Sequence, residues 1–219
     1  PLMSFTLFDS KQKKKVPFTP IDEGKVTLYS CGPTVYDHAH LGHAKSALSF
    51  DLLVRTLRAL SYDVTFARNI TDVDDKIIKK SIESGVGITE ITDTYTQSYQ
   101  EDMNALGVIT PDLEPKATEN IDAMASLIEN LLSKDIAYKV QSGDIYFDTS
   151  KDSEYGSLSK NTQEDRINRV EGGFKRNDAD FVLWKSTTSE EVHFDSPFGI
   201  GRPGWHLECS AMINAHLAS

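Results

Sequence analysis

The pattern of apolar and polar positions in the first part of the chain predicts a strand, a helix and a second strand. Residues 25–31 alternate weakly and are followed by a Gly32-Pro33 turn, which is typical of a strand that ends near Cys31. A helix that begins near His40 is predicted by apolar residues at helical spacing, namely Leu41, Ala44, Leu48, Leu52, Leu53 and Leu57. Val64-Thr-Phe-Ala indicates the second strand, between residues 61 and 68. This order is that of a parallel crossover unit, so we expect an α/β fold with a Rossmann-like, doubly wound parallel sheet.

The remaining patterns predict further helices and a hairpin. Acids at positions 72, 74 and 75 suit a first helical turn because they complement the helix dipole, and Gly107 is typical of a helix stop. The predicted elements are helices over 71–81, 88–106 and 121–134, a hairpin over 137–148, and a polar, loop-like stretch over 150–180.

Length and composition fit a globular chain with one or two cored domains, since 39% of its 219 residues are hydrophobic. We expect residues 1–112 to form the first half of a nucleotide-binding domain. Residues 113–196 should be an α+β insertion, and residues 197–219 the start of the return into the first domain. Such a sheet lacks its later strands, so we expect the chain to be the front portion of a longer enzyme.

Charge and hydropathy narrow the classes of partner. A net charge of −10 argues against nonspecific nucleic-acid binding, although an RNA held by its shape needs only a local basic strip. The basic run Lys11 to Lys15 is predicted to be a solvated loop between short strands. No apolar run approaches about 18 residues and no secretory leader opens the chain, so we expect no membrane contact and a cytoplasmic protein.

Candidate chemistry is concentrated between residues 31 and 43. Cys31 offers a thiolate, which is a strong zinc ligand, and His40 and His43 present two imidazoles on one helix face. Gly42 between them would let the backbone approach a nucleotide. Together these residues predict a nucleotide site beside a metal site. Two other interpretations stay open: the thiols of Cys31 and Cys209 could be buried side chains, and the histidines could be ordinary helix-terminal residues.

Several motifs resemble those of one enzyme family. His40-Leu41-Gly42-His43 resembles the HIGH signature of class I aminoacyl-tRNA synthetases. The rest of the chain is similar, in the same order, to the cysteine-specific members, with matching segments at 68–77, 144–147, 155–158, 181–185 and 201–212. The last of these, GRPGWHLECSAM, is highly specific.

The resemblance implies roles for particular residues. His40 and His43 would be catalytic, contacting the ATP phosphates, with Pro33, Thr34 and Gly42 completing the ATP site. Gly32, Thr71 and Trp205 would line the pocket for the substrate cysteine, with Trp205 closing over it. Cys31 and Cys209 would be two ligands of a Zn²⁺ ion that binds the substrate thiolate, and the other two ligands would lie beyond Ser219.

The function implied is ATP-dependent activation of L-cysteine, with Mg²⁺ accompanying ATP, followed by transfer to tRNA(Cys). We expect the protein to be a monomer. We also expect this chain to be inactive alone, because the second class I signature, Lys-Met-Ser-Lys-Ser, does not occur in the 219 residues. Two alternatives remain. One is a paralogue that joins cysteine to a glucosaminyl-inositol in mycothiol synthesis, and the other is a noncatalytic binding module with the same fold.

Overall fold

The computed structural model describes residues 5–159 and 174–218, which fall into two compact units. The antiparallel unit comprises residues 1–20 and 125–207, and the parallel unit comprises residues 21–124 and 208–219. The expected division at residues 112 and 196 stays a prediction. The expected loop over 150–180 lies partly outside the described residues.

The strands are β1 (Thr6–Asp9), β2 (Lys14–Pro17), β3 (Lys25–Ser30), β4 (Asp63–Arg68), β5 (Ala137–Lys139), β6 (Ile145–Phe147), β7 (Phe181–Ser186) and β8 (Gly201–Pro203). The α-helices are α1 (Leu41–Ala59), α2 (Asp75–Ser84), α3 (Ile88–Ala105), α4 (Ile121–Ser133) and α5 (Trp205–His216). Short 3₁₀ turns span Ala117–Asn120 and Thr149–Lys151. No helix among the described residues is both long enough and apolar enough to cross a membrane.

The parallel unit contains the predicted strand, helix and strand. β3 and β4 pair in parallel, from Lys25 opposite Asp63 to Ser30 opposite Arg68, with α1 between them in the chain. An extended segment continues the parallel arrangement beside β4, since Leu113 bridges Ala67. The prediction of a parallel α/β fold is therefore confirmed.

Helix α2 begins later than predicted. Its N-cap is Asp74, whose side chain accepts from the backbone N–H of Lys76, and the expected first-turn residues Thr71 and Asp72 lie outside it. Thr71 instead pairs with Thr34, and the Asp72 carboxylate accepts hydrogen bonds from the backbone and hydroxyl of Thr118. These partners hold the segment extended, so tertiary bonds override the local helix-start pattern.

The core of the parallel unit joins α1 and α3 to the ends of the parallel strands. Its buried members are Val35, Ala47, Ile70, Tyr99, Met103 and Val108. This packing fixes the segment after β3 against the segment after β4. The carboxyl ends of parallel strands are where α/β folds place their ligands.

The antiparallel unit consists of the β1–β2 hairpin and a four-stranded antiparallel sheet in the order β5-β6-β7-β8. The predicted hairpin is confirmed by the pairing of Ala137–Lys139 with Ile145–Phe147. The basic run was predicted as a loop, and this is wrong for Lys14 and Lys15, which lie on β2. Their pairing opposite Asp9 and Phe8 gives the backbone regular partners while both side chains remain exposed.

Asp180 is the central polar group of the antiparallel unit. Its carboxylate is 1% exposed and accepts hydrogen bonds from the Tyr138 hydroxyl at 2.7 Å, from the Thr149 backbone and hydroxyl at 2.9 Å each, and from the Asn177 backbone at 3.1 Å. Burial raises its pKa, but the hydrogen bonds outweigh burial and hold the pKa below 3.8. The ionised form is therefore the one that the fold stabilises.

We expect Asp180→Asn to lower the free energy of unfolding at pH 7 by about 1–3 kcal/mol. The amide NH₂ group of Asn would face hydroxyl and backbone N–H donors that now bind the carboxylate. The folded-state pKa is lowered, so this contribution is present above the ordinary pKa of 3.8 and lost as pH falls through the folded value. Urea denaturation at several pH values measures the difference between the two proteins. The control is Asp178→Asn, because Asp178 is a nearby exposed aspartate. An equal loss of stability in both variants would contradict the stabilising role of the Asp180 carboxylate.

Candidate active site

The candidate site is built on a close approach between the ends of β3 and β4. Gly32 follows β3 by two residues, and a Cβ there would lie 1.6 Å from the backbone oxygen of Asn69, which follows β4. The Gly32 N–H donates to the Asn69 side-chain oxygen at 2.9 Å. No residue with a side chain fits at position 32 without moving the end of β4.

A buried chain of hydrogen bonds continues from this contact to α5. The Asn69 amide donates to the Thr71 hydroxyl at 3.1 Å, and this hydroxyl donates to the Glu208 carboxyl at 3.0 Å. The three residues are 0%, 3% and 2% exposed, respectively. Buried polar groups are costly when unpaired, so each member fixes the position of the next. Thr71, predicted to line the substrate pocket, thus has a defined rotamer.

Glu208 is a residue of this cluster for which no role was predicted. Burial raises its pKa to about 8, the Thr71 hydrogen bond opposes the rise, and the charges of Asp74, Asp72 and Cys31 add to it. Glu208 is therefore mainly a neutral acid at pH 7. The burial of Glu208 had no local sequence signal, because its hydrogen-bond partner Thr71 lies 137 positions away in the chain.

The two cysteines meet in this cluster. The sulfur of Cys31, directly after β3, lies 2.8 Å from the sulfur of Cys209 on α5, although 178 positions separate them in the chain. The hydrogen bond from Cys209 lowers the pKa of Cys31 to about 7, against the effect of burial, and the same hydrogen bond raises the pKa of Cys209. Cys31 therefore ionises before Cys209, and a pKa of about 7 leaves Cys31 about half ionised at pH 7. Both cysteines are free.

Two sulfur ligands would make up half of a tetrahedral zinc site. Tetrahedral zinc with sulfur ligands at roughly 2.3 Å holds two sulfurs about 3.8 Å apart, so the pair must open by about 1 Å around an ion. Within residues 5–159 and 174–218, no group of three His, Cys, Asp or Glu side chains is arranged to hold a metal. A catalytic zinc typically has three protein ligands, and Cys31 and Cys209 would supply two of them. The zinc assignment of Cys31 and Cys209 stays a prediction.

The two predicted catalytic histidines cap the start of α1. The His40 side chain accepts from the Gly42 N–H at 3.0 Å through Nδ1, and the His43 side chain accepts from the His40 N–H at 3.1 Å, also through Nδ1. Because Nδ1 is the acceptor in both rings, the neutral tautomer carries its proton on Nε2. Burial and the neighbouring His40 lower the pKa of His43, which favours this neutral form. The arrangement leaves two Nε2–H donors at a helix N-terminus.

Pro33 and Thr34, which are predicted to bind the nucleotide, contact the segment that follows β4. The backbone oxygen of Pro33 accepts from Thr71 at 3.0 Å, and Thr34 bridges Thr71 in parallel. Trp205 lies in the antiparallel unit at the start of α5, where it is 57% exposed and its ring contacts His206 at 5.1 Å. The roles of Pro33, Thr34 and Trp205 in substrate binding stay predictions.

The fold and the strand-end cluster define a class I synthetase nucleotide-binding domain. The chain matches the family described as tRNA synthetases class I (C) catalytic domain over residues 17–219 and belongs to that family. A solved structure of a proposed arginyl-tRNA synthetase from Campylobacter jejuni shares the fold, with a TM-score of 0.53 and 15% identity over 89% of this chain and 44% of that one.

Within the family the chain is similar to cysteine–tRNA ligases. It is 58% identical to the cysteine–tRNA ligase of Sulfurimonas denitrificans, over 97% of this chain and 46% of the relative. It is 55% identical to that of Helicobacter acinonychis over the same shares. The chain therefore spans about half the length of these curated relatives.

We expect Gly32→Ala to lower the free energy of unfolding by about 1–3 kcal/mol or more, because the added methyl meets backbone rather than a movable side chain. Gly87→Ala is the matched control, since a Cβ there meets nothing within 4 Å and the φ of −63° suits any residue. Denaturant unfolding measures both variants. Equal stability of the two would show that the β3 and β4 ends can separate freely.

Proposed function

We propose that the chain is the N-terminal part of a cysteine–tRNA ligase, which joins L-cysteine to ATP as cysteinyl-adenylate and then transfers it to tRNA(Cys). The observation that carries the proposal is the meeting of Cys31 and Cys209 beside Thr71 in a class I synthetase fold. The tRNA acceptor rests on the relatives' names alone. No specific observation favours the mycothiol or noncatalytic alternatives.

The histidines supply the ATP-binding chemistry in this proposal. Two neutral Nε2–H donors and the positive end of the α1 dipole suit phosphate oxygens, and Mg²⁺ would arrive with ATP as part of the substrate. The substrate carboxylate is the nucleophile that attacks the α-phosphorus and displaces pyrophosphate. The chain therefore needs only to position the reactants and neutralise developing charge.

Selection of cysteine is proposed to depend on sulfur chemistry. Cys31 and Cys209 are the zinc ligands that this chain would supply, and zinc prefers a thiolate over the hydroxyl of serine. A pocket built only from apolar side chains would separate the two substrates weakly. Gly32 and Thr71 would shape the rest of the pocket, since both belong to the rigid hydrogen-bonded cluster.

The histidine roles are tested with variants that keep the helix cap. Ser is a common N-cap residue and Gln is common at the third helical position of a capping box, so His40→Ser and His43→Gln each preserve the cap while removing one imidazole donor. We expect each variant to weaken Mg-ATP binding by about tenfold or more, measured by calorimetry on this chain. His38→Gln, outside the cap, should bind normally. Unchanged binding by both cap-retaining variants would contradict the histidine assignment.

The metal assignment is tested with Co²⁺ as a zinc substitute. We expect the chain to develop thiolate-to-cobalt charge-transfer absorption, which Cys31→Ser and Cys209→Ser each reduce by about half or more because each removes one of two sulfurs. The double variant should show none. Equal absorption in the wild type and both single variants would mean that the sulfurs are not ligands.

A further inference from the structure

The contact between Cys31 and Cys209 allows a reaction that the proposed function does not use. The two sulfurs lie 2.8 Å apart, and both cysteines are free. A disulfide bond is about 2.05 Å long, so the sulfurs need to approach by only about 0.8 Å to form one. The chain contains only these two cysteines, so neither has another partner of its kind in the same molecule.

The backbone around both cysteines keeps the sulfurs close together. Cys31 directly precedes Gly32, which is packed against the backbone of Asn69. The Cys209 sulfur lies 3.9 Å from the side-chain oxygen of the same Asn69, and the preceding Glu208 belongs to the buried chain of hydrogen bonds. One rigid cluster therefore positions both sulfurs. Groups that are held in contact in this way react far more readily than groups that must first meet.

Exposure decides which sulfur an oxidant reaches first. Cys31 is exposed, whereas Cys209 is half-buried. Hydrogen peroxide would transfer one oxygen atom to the Cys31 thiol, giving a sulfenic acid and one water molecule. The Cys209 sulfur then attacks the Cys31 sulfur, so that an S–S bond forms, the S–O bond breaks and a second water molecule leaves. In total, the two thiols lose two electrons and two protons, and the peroxide takes up both.

We propose that Cys31 and Cys209 form a reversible disulfide when the metal-free chain meets a peroxide. Metal ions bind the thiolate form of cysteine, and a disulfide sulfur carries no such charge. The disulfide therefore withdraws both sulfurs from metal binding until a reductant restores them. Disulfide formation needs only this chain, whereas its meaning as a redox switch rests on the proposed function, in which the same sulfurs select cysteine.

The test treats the reduced, metal-free chain with about one equivalent of hydrogen peroxide. We expect the free thiols to fall from two per chain to none and the intact mass to fall by two hydrogen atoms. Dithiothreitol should reverse both changes. The product should run as a single chain in electrophoresis without reductant, and proteolysis should give one product that contains both Cys31 and Cys209.

Two variants report the separate half-reactions. In Cys209→Ser, the oxidation of Cys31 should stop at the sulfenic acid, which dimedone traps, because the second sulfur is missing. In Cys31→Ser, the half-buried Cys209 should react more slowly than Cys31 does in the other variant. Faster oxidation of Cys209 would contradict the order of the two steps.

Comparison of the folded and unfolded chains tests whether the fold places the sulfurs for this bond. The folded chain should keep the disulfide against about tenfold or more reduced glutathione than the urea-unfolded chain, because only the fold holds the sulfurs in contact. Equal resistance of the two would overturn the proposal. Disulfides that join two chains, or sulfinic acids in place of a disulfide, would overturn it as well.

Cobalt binding separates this proposal from the proposed zinc role. Co²⁺ added to the oxidised chain after removal of peroxide should give no thiolate charge-transfer absorption, and reduction should restore it. A chain that forms the disulfide but never binds Co²⁺ through sulfur would support the disulfide and contradict the zinc role. A chain that binds Co²⁺ through both sulfurs but yields no disulfide would overturn the disulfide alone.

Discussion

The contact between Gly32 and the backbone of Asn69 is the constraint on which the rest of the site depends. The missing side chain at Gly32 lets the ends of β3 and β4 approach until the Asn69 amide can bond to both strands' continuations. Thr71 is then positioned by Asn69, and Glu208 by Thr71. Glu208 precedes Cys209, so one close backbone approach sets where the second sulfur lies. A local steric requirement thereby organises residues that are far apart in the chain.

Charge in this cluster is limited by burial. Three acidic groups lie close together, yet Glu208 is mainly protonated at pH 7 and Cys209 keeps its proton, which leaves Cys31 as the group that ionises most readily. Like charges in a poorly solvated space cannot all ionise. At pH 7 Cys31 is therefore about half ionised, and the neighbouring Glu208 and Cys209 are mainly neutral. A positive ion would change this balance, since it would favour ionisation of the second sulfur.

Local patterns predicted the strands and helices of the parallel unit well, because apolar periodicity and a glycine stop are properties of neighbouring residues. The start of α2 was wrong because the partners of Thr71 and Asp72 come from residues 34 and 118, which no local window contains. The meeting of Cys31 and Cys209 could be expected only from family resemblance, since spacing cannot bring together residues 178 positions apart. The burial of Glu208 depends on tertiary packing and had no sequence signal.

The residues at the carboxyl end of β4 contact two different neighbourhoods, because successive residues of an extended chain point to opposite faces. Phe66 and Arg68 share one face, where the guanidinium carbon of Arg68 lies 6.0 Å from the centre of the Phe66 ring. Asn69 follows with the opposite direction and holds Gly32 and Thr71. Contacts on one face of the segment therefore also restrict the backbone that carries the residues of the other face. The packing of Arg68 against the Phe66 and Tyr99 rings therefore helps to hold the backbone that leads directly into the cysteine cluster.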